Sequence, residues 1–128
     1  AHPERDYCID DRMDIALDWV DMGCSLQLNA GSITGYFGRE SMETAFALLR
    51  EGAVQFIASD SHGAITRTPE LAEAYERIGA QFSFKYAKLL FTDNPGNVIA
   101  DRGLEFPIVD RGERPDDFFI SDDEYWDQ

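Results

Sequence analysis

Hydrophobic positions change their spacing several times along the chain, and the changes mark out alternating helices and strands. Met13, Ala16, Leu17 and Val20 fall on one helical stripe, with acidic residues at its amino end and Gly23 available to close it. They predict a helix from Asp10 or Asp11 to Met22. The period then shortens to two: Cys24, Leu26, Leu28 and Ala30 alternate with Ser25, Gln27 and Asn29, as in a strand with one polar face. That face has two readings. Gln27 and Asn29 either line the interior of a closed α/β barrel near a site or face water on an edge strand. Residues 31–38, GSITGYFG, read as a glycine-punctuated loop, and Met42, Ala45, Phe46 and Leu49 predict a helix from about Glu40 to Arg50 ended by Gly52.

A second strand is predicted over Ala53–Ala58, an apolar run that stops abruptly before Asp60. Thr68, Pro69 and Glu70 then open a helix with proline at its first position, and Leu71, Ala74, Tyr75 and Ile78 repeat on one face. A further helical stretch covers Gln81 to Phe91. Asn94 precedes Pro95, which predicts a non-helical Asn94 and a short helix after it through Val98 to Asp101; Leu104 to Val109 reads as extended. The order helix, strand, helix, strand, helix, helix predicts an α/β fold with parallel strands, although two strands alone cannot enclose a barrel.

Composition narrows the function classes. The 128 residues are 44% hydrophobic and 12% aromatic, which suits one globular domain or part of one. Eleven basic and 25 acidic side chains give a net charge of −14, which argues against unaided binding to nucleic acid or to an anionic membrane surface. From Asp110 onward eight acidic residues face only Arg111 and Arg114, so residues 104–128 are expected to be an extended segment and an acidic tail, separate from the body at 1–103. Phe118, Phe119, Ile120, Tyr125 and Trp126 leave open whether that tail docks or is solvated. Cys8 and Cys24 lack framework spacing and fit free thiols in a reducing compartment. No apolar run approaches the roughly 18 residues of a membrane span, so the expected location is the cytoplasm.

Candidate chemistry gathers at two places. Asp60 follows the second strand and His62 lies two residues on, so an extended step turns both toward one point at the strand's carboxyl end, where α/β sheets keep their chemistry. The only other histidine, His2, lies in AHPER at positions 1–5. His2, Asp60 and His62 offer the mixed nitrogen and oxygen ligands that suit Mn, Fe or Zn, while Arg5 and Arg67 offer planar cations for phosphate oxygens. A divalent ion there would polarise a phosphoryl oxygen and activate water, so the set points to phosphate-ester hydrolysis. Each residue also has a plainer reading. Asp, Ser, His and Gly are ordinary turn formers, Glu4 and Arg5 could form a surface ion pair, and Arg67 could simply precede a helix.

Taken in order, AHPER, QLNAGSITGYFG, FIASDSHG with an arginine five residues after its histidine, and NP after two helices resemble the bacterial CpsB/CapC-type tyrosine phosphatases of the polymerase and histidinol phosphatase (PHP) superfamily. The resemblance runs from Ala1 to about Ala100. It implies part of a distorted (β/α)7 barrel binding divalent metal ions, usually Mn, and hydrolysing phosphotyrosine on a capsule-synthesis tyrosine kinase. By motif, His2, Asp60 and His62 resemble metal ligands, and Arg5 and Arg67 resemble the phosphate-binding arginines. Attack by a metal-held hydroxide is implied, without a phosphocysteine; neither Cys8 nor Cys24 has an arginine six positions on.

The family pattern also includes an amino-terminal half carrying an H-x-H pair, further ligands and several strands, none of which precedes Ala1. The chain is therefore expected to be the carboxy-terminal portion of such a phosphatase, inactive in isolation, with an exposed sheet edge that pairs with a missing half, a second chain or another copy. Two other functions remain open: a small-molecule phosphatase of the histidinol-phosphatase kind, and a non-catalytic interaction fragment of the barrel.

Overall fold

In the computed structural model, which describes residues 1–6, 9, 12–63 and 71–106, two parallel strands lie side by side: β1 (Leu26–Asn29) and β2 (Val54–Ala58). Nearly every residue of both strands is buried or half-buried, as expected of parallel strands covered on both faces. The pairing slips by one residue between Leu26 and Gln27, which leaves Gln55 as an extra residue on β2. Its fully buried side chain repairs the slip: Leu26 N–H donates to Oε1 at 2.7 Å, and Nε2 donates to the Ala53 carbonyl at 2.9 Å.

A 3-10 turn at Pro3–Arg5 opens the described chain and precedes α1 (Met13–Asp21). Ala16 of α1 is fully buried, with Met13, Leu17 and Val20 packed against the core; Asp10 and Asp11, where this helix is predicted to start, lie outside the described residues. β1 runs directly into α2 (Ala30–Thr34). The predicted loop at 31–38 is therefore half helix, because Ala30, Ser32 and Ile33 are buried and tertiary burial outweighs two glycines. Gly35, at φ 87°, ends α2 in the left-handed conformation that the side-chain-bearing residues avoid.

Helix α3 (Arg39–Arg50) returns the chain to β2, and α4 (Ala72–Gln81) buries Ala74 and Ile78. The predicted start at Thr68, Pro69 and Glu70 lies outside the described residues. The predicted helix from Gln81 to Phe91 is divided. Ser83 accepts a hydrogen bond from Tyr86 N–H and starts α5 (Phe84–Lys88), which passes into a π-helical segment at Leu89–Asp93. Tyr86 links α5 to α3 through its hydroxyl, 2.7 Å from the Leu49 carbonyl.

Contrary to the non-helical expectation, Asn94 has φ −67° and ψ −43° and begins α6 (Asn94–Ile99). Buried hydrogen bonds outweigh the pre-proline preference here, and the wider π turn lies where Pro95 would otherwise crowd an α-helical carbonyl. Asn94 is fully buried; its Nδ2 donates to the carbonyls of Gln55 and Glu105 at 3.0 and 2.9 Å, and its Oδ1 accepts from Glu105 N–H at 2.9 Å. One side chain thus joins β2 to residues 104–106, which have no regular secondary structure; 107–128, with the rest of the predicted extended segment and the tail, lie outside the described residues.

Candidate functional site

Three polar side chains, Glu4, Asn29 and Asp60, are linked in series at the carboxyl ends of β1 and β2. Glu4, for which the plainer reading is a surface ion pair with Arg5, is instead 1% exposed. Its Oε1 accepts from Asn29 N–H at 2.9 Å and from Ser32 Oγ at 2.8 Å, joining the 3-10 turn to the end of β1 and to α2. Asn29, 1% exposed, directs its Nδ2 to Asp60 Oδ2 at 3.4 Å and so connects the two strand ends. Of the two readings of the polar face, exposure to water on an edge strand does not hold for Asn29, which is buried.

Two buried acceptors remain: among the described residues Glu4 Oε2 and Asn29 Oδ1 have no hydrogen-bond partner. Each costs about 1–3 kcal/mol if left so, a deficit that a donor or cation in the site would offset. Burial pushes the Glu4 carboxyl above its ordinary pKa, against the opposing hydrogen bonds from Asn29 and Ser32 and the nearby His2.

Backbone geometry is also unusual at two of the three predicted ligand positions. His2 has φ 41° and Asp60 φ 49°, in the left-handed region that costs a side-chain-bearing residue roughly 1 kcal/mol. His2 N–H bonds to the Gln27 carbonyl at 2.7 Å, so the chain lies along β1 and then bends sharply into the Pro3–Arg5 turn. At Asp60 the bend brings the backbone carbonyl 2.7 Å from His62 Nδ1. A carbonyl can only accept, so Nδ1 is the donor, and in the neutral tautomer compatible with this bond Nε2 would hold the lone pair that metal ligation requires.

The predicted residues are therefore distributed as follows. Asp60 and His62 are joined through the Asp60 backbone carbonyl and not by two side chains on an extended step, because Asp60 is left-handed; His2 and Arg5 belong to the turn that Glu4 ties to β1, and Arg67 lies outside the described residues. The donor types fit a divalent cation, but among the described residues no three His, Cys, Asp or Glu side chains converge tightly enough to hold one. The Arg5 guanidinium carbon lies over the Phe37 ring, 3.9 Å from its centroid.

Sequence reasoning missed Glu4, Ser32 and Phe37 as neighbours of the site. Only the pairing of the turn with β1 reveals them, since no periodicity runs through AHPER or GSITGYFG.

Parallel strands with a polar cluster at their carboxyl ends define an α/β protein, and the fold matches a chain from the crystal structures of YwqE from Bacillus subtilis and CpsB from Streptococcus pneumoniae, described as unique metal-dependent tyrosine phosphatases. The TM-score is 0.79 at 25% identity, over 88% of this chain and 45% of that one. A family model for capsular polysaccharide synthesis, CpsB/CapC, matches residues 1–100, and the chain belongs to that family. Tyrosine-protein phosphatase CpsB of Streptococcus pneumoniae is 32% identical over 107 residues, 80% of this chain and 44% of its own length. Tyrosine-protein phosphatase YwqE of Bacillus subtilis is 30% identical over 94 residues, 73% of this chain and 37% of its own. The chain thus spans less than half the length of these curated relatives.

Proposed function

We propose that this chain contributes the carboxyl-side portion of the active site of a metal-dependent protein-tyrosine phosphatase. Its two parallel strands would belong to a distorted (β/α)7 barrel. His2, Asp60 and His62 would hold divalent metal, Mn in the first instance with Fe and Zn as alternatives, together with ligands from beyond the described residues. The metal would supply positive charge at the phosphoryl oxygens and activation of water. Arg5 and Arg67 would clamp the non-bridging oxygens through their planar donor forks. Glu4 and Asn29 would keep the two ligand-bearing turns in register.

The observation that carries this reading is the His62 Nδ1 hydrogen bond to the Asp60 carbonyl, which orients the imidazole just beyond a parallel strand end and would leave Nε2 of its neutral form for a cation. The relatives are tyrosine-protein phosphatases, which makes phosphotyrosine the proposed substrate, and a capsule-synthesis tyrosine kinase is the proposed bearer. No helix among the described residues is long and apolar enough to cross a membrane; the proposed compartment is the cytoplasm.

The test compares Mn-dependent phosphate release from a phosphotyrosine peptide and from histidinol phosphate, using the full chain as its gene encodes it. The peptide is expected to be preferred, Arg67→Ala to lower its turnover roughly 10- to 100-fold with metal retained, and the pair His2→Ala, His62→Ala to weaken Mn binding by at least about 10-fold. Equal or better use of histidinol phosphate would favour the small-molecule reading. Because the described residues do not converge three ligands, a non-catalytic module is the second reading, and Mn binding unaffected by the double substitution would favour it.

A further inference from the structure

The loop after α2 places two aromatic rings beside Arg5. Phe37 is seated against Gly31: a Cβ at that glycine would lie 2.7 Å from the ring, so the ring occupies space that any side chain there would need. Tyr36 meets Phe37 edge to face, with centroids 5.1 Å apart and planes at 87°, and its N–H donates to the Gly31 carbonyl at 2.8 Å. The carboxyl end of one short helix therefore fixes both rings. Phe37 is half-buried, whereas Tyr36 is 61% exposed.

A guanidinium whose carbon lies over an aromatic face is restrained there by the ring's quadrupole, while its N–H donors remain at its periphery. Arg5 is exposed, and among the described residues no hydrogen bond or ion pair engages its side chain. Those donors are consequently available to an anion. Contacts of 3.9 and 5.1 Å link the Arg5 carbon through Phe37 to the Tyr36 ring, a span that one aryl phosphate can cover. An alkyl phosphate has the same anionic end and nothing to lay against Tyr36.

We propose that Phe37 is a positioning residue that holds Arg5 ready for a phosphate group, and that Tyr36 is the surface on which an ester's aromatic ring packs, so that the site selects aryl over alkyl phosphates. This inference rests on the phosphatase reading and deepens it.

Phenylphosphonate and methylphosphonate carry similar anions, resist hydrolysis and differ in the ring, so their affinities separate the two roles without turnover. Both are titrated calorimetrically, with Mn present, into the full chain as its gene encodes it. The wild type is expected to bind phenylphosphonate about 5- to 10-fold more tightly, the scale of one aromatic contact. Tyr36→Ala should bring the two ligands within about twofold and leave methylphosphonate unchanged. Phe37→Leu fills the seat beside Gly31 without an aromatic face and should weaken both ligands about threefold, with Phe37→Tyr restoring them. An aryl preference that survives Tyr36→Ala, or methylphosphonate binding indifferent to Phe37→Leu, overturns the proposal. Equal wild-type affinities overturn the aryl preference while the phosphatase reading stands. Failure to bind either phosphonate overturns both.

Discussion

Replacing Glu4 discriminates between a solvated ion pair and a buried anchor for the site. In Glu4→Ala the Asn29 N–H and the Ser32 hydroxyl both lose the acceptor they share at 2.9 and 2.8 Å. Each donor left unsatisfied in a buried setting costs about 1–3 kcal/mol. Part of that cost is offset because a desolvated carboxylate is removed, the same desolvation that raises the Glu4 pKa. The net expectation is a loss of about 2–4 kcal/mol, read as a shift in urea midpoint with an unchanged slope. Glu4→Gln keeps an oxygen for both bonds and should stay within about 1 kcal/mol of wild type. A double-mutant cycle of Glu4→Ala with Ser32→Ala should return a coupling of about 0.5–1.5 kcal/mol. An exposed pair would instead give no more than about 1 kcal/mol for either substitution and no coupling to Ser32. That outcome, or equal losses for the alanine and glutamine variants, would refute the anchor.

Asn94→Ala removes three hydrogen bonds, one buried to Gln55 of β2 and two part-buried to Glu105, and should destabilise the protein by about 3 kcal/mol in the same assay; a loss under about 1 kcal/mol would show that the bridge contributes little. Tyr86→Phe, which loses the bond to the Leu49 carbonyl, should cost about 1 kcal/mol near neutral pH. Burial raises the Tyr86 pKa above its ordinary value of 10.0, so the unfolded chain releases this proton first as pH rises. The contribution is therefore complete below about pH 10 and is lost above it, by about 1.4 kcal/mol per pH unit until the folded-state pKa is reached. The stability difference between wild type and Tyr86→Phe should shrink along that slope, and a constant difference from pH 9 to 11 would contradict the assignment.

The parts of the fold that were legible in the sequence are those in which burial repeats. Ala16, Ala45, Leu49, Ala74 and Ile78 announce their helices at helical spacing, and Leu26 and Leu28 announce a strand at a spacing of two. Elements held by single polar contacts gave no such signal. Residues 30–34 become helix because three of them face the core, and Asn94 is helical because its amide satisfies backbone groups from two other segments. Both outcomes depend on partners distant in the chain, and a local preference of a few tenths of a kcal/mol to about 1 kcal/mol yields to them.

The same distinction governs the site. That Asp60 and His62 are neighbours follows from their spacing, but the form of their contact does not: the extended step is replaced by a left-handed bend, and the imidazole meets the Asp60 backbone carbonyl. Their relation to AHPER does not follow from spacing either, since it passes through three long-range contacts: His2 N–H to the Gln27 carbonyl, Glu4 to Asn29 N–H, and Asn29 Nδ2 to Asp60. All three converge on β1, the strand whose alternate polar residues gave the ambiguous pattern. A buried asparagine whose oxygen has no partner among the described residues, next to a buried carboxylate in the same condition, is costly as core packing. The cost becomes intelligible if the strand's role is to hold two turns, each strained into a left-handed bend, at a fixed separation around something that is not protein.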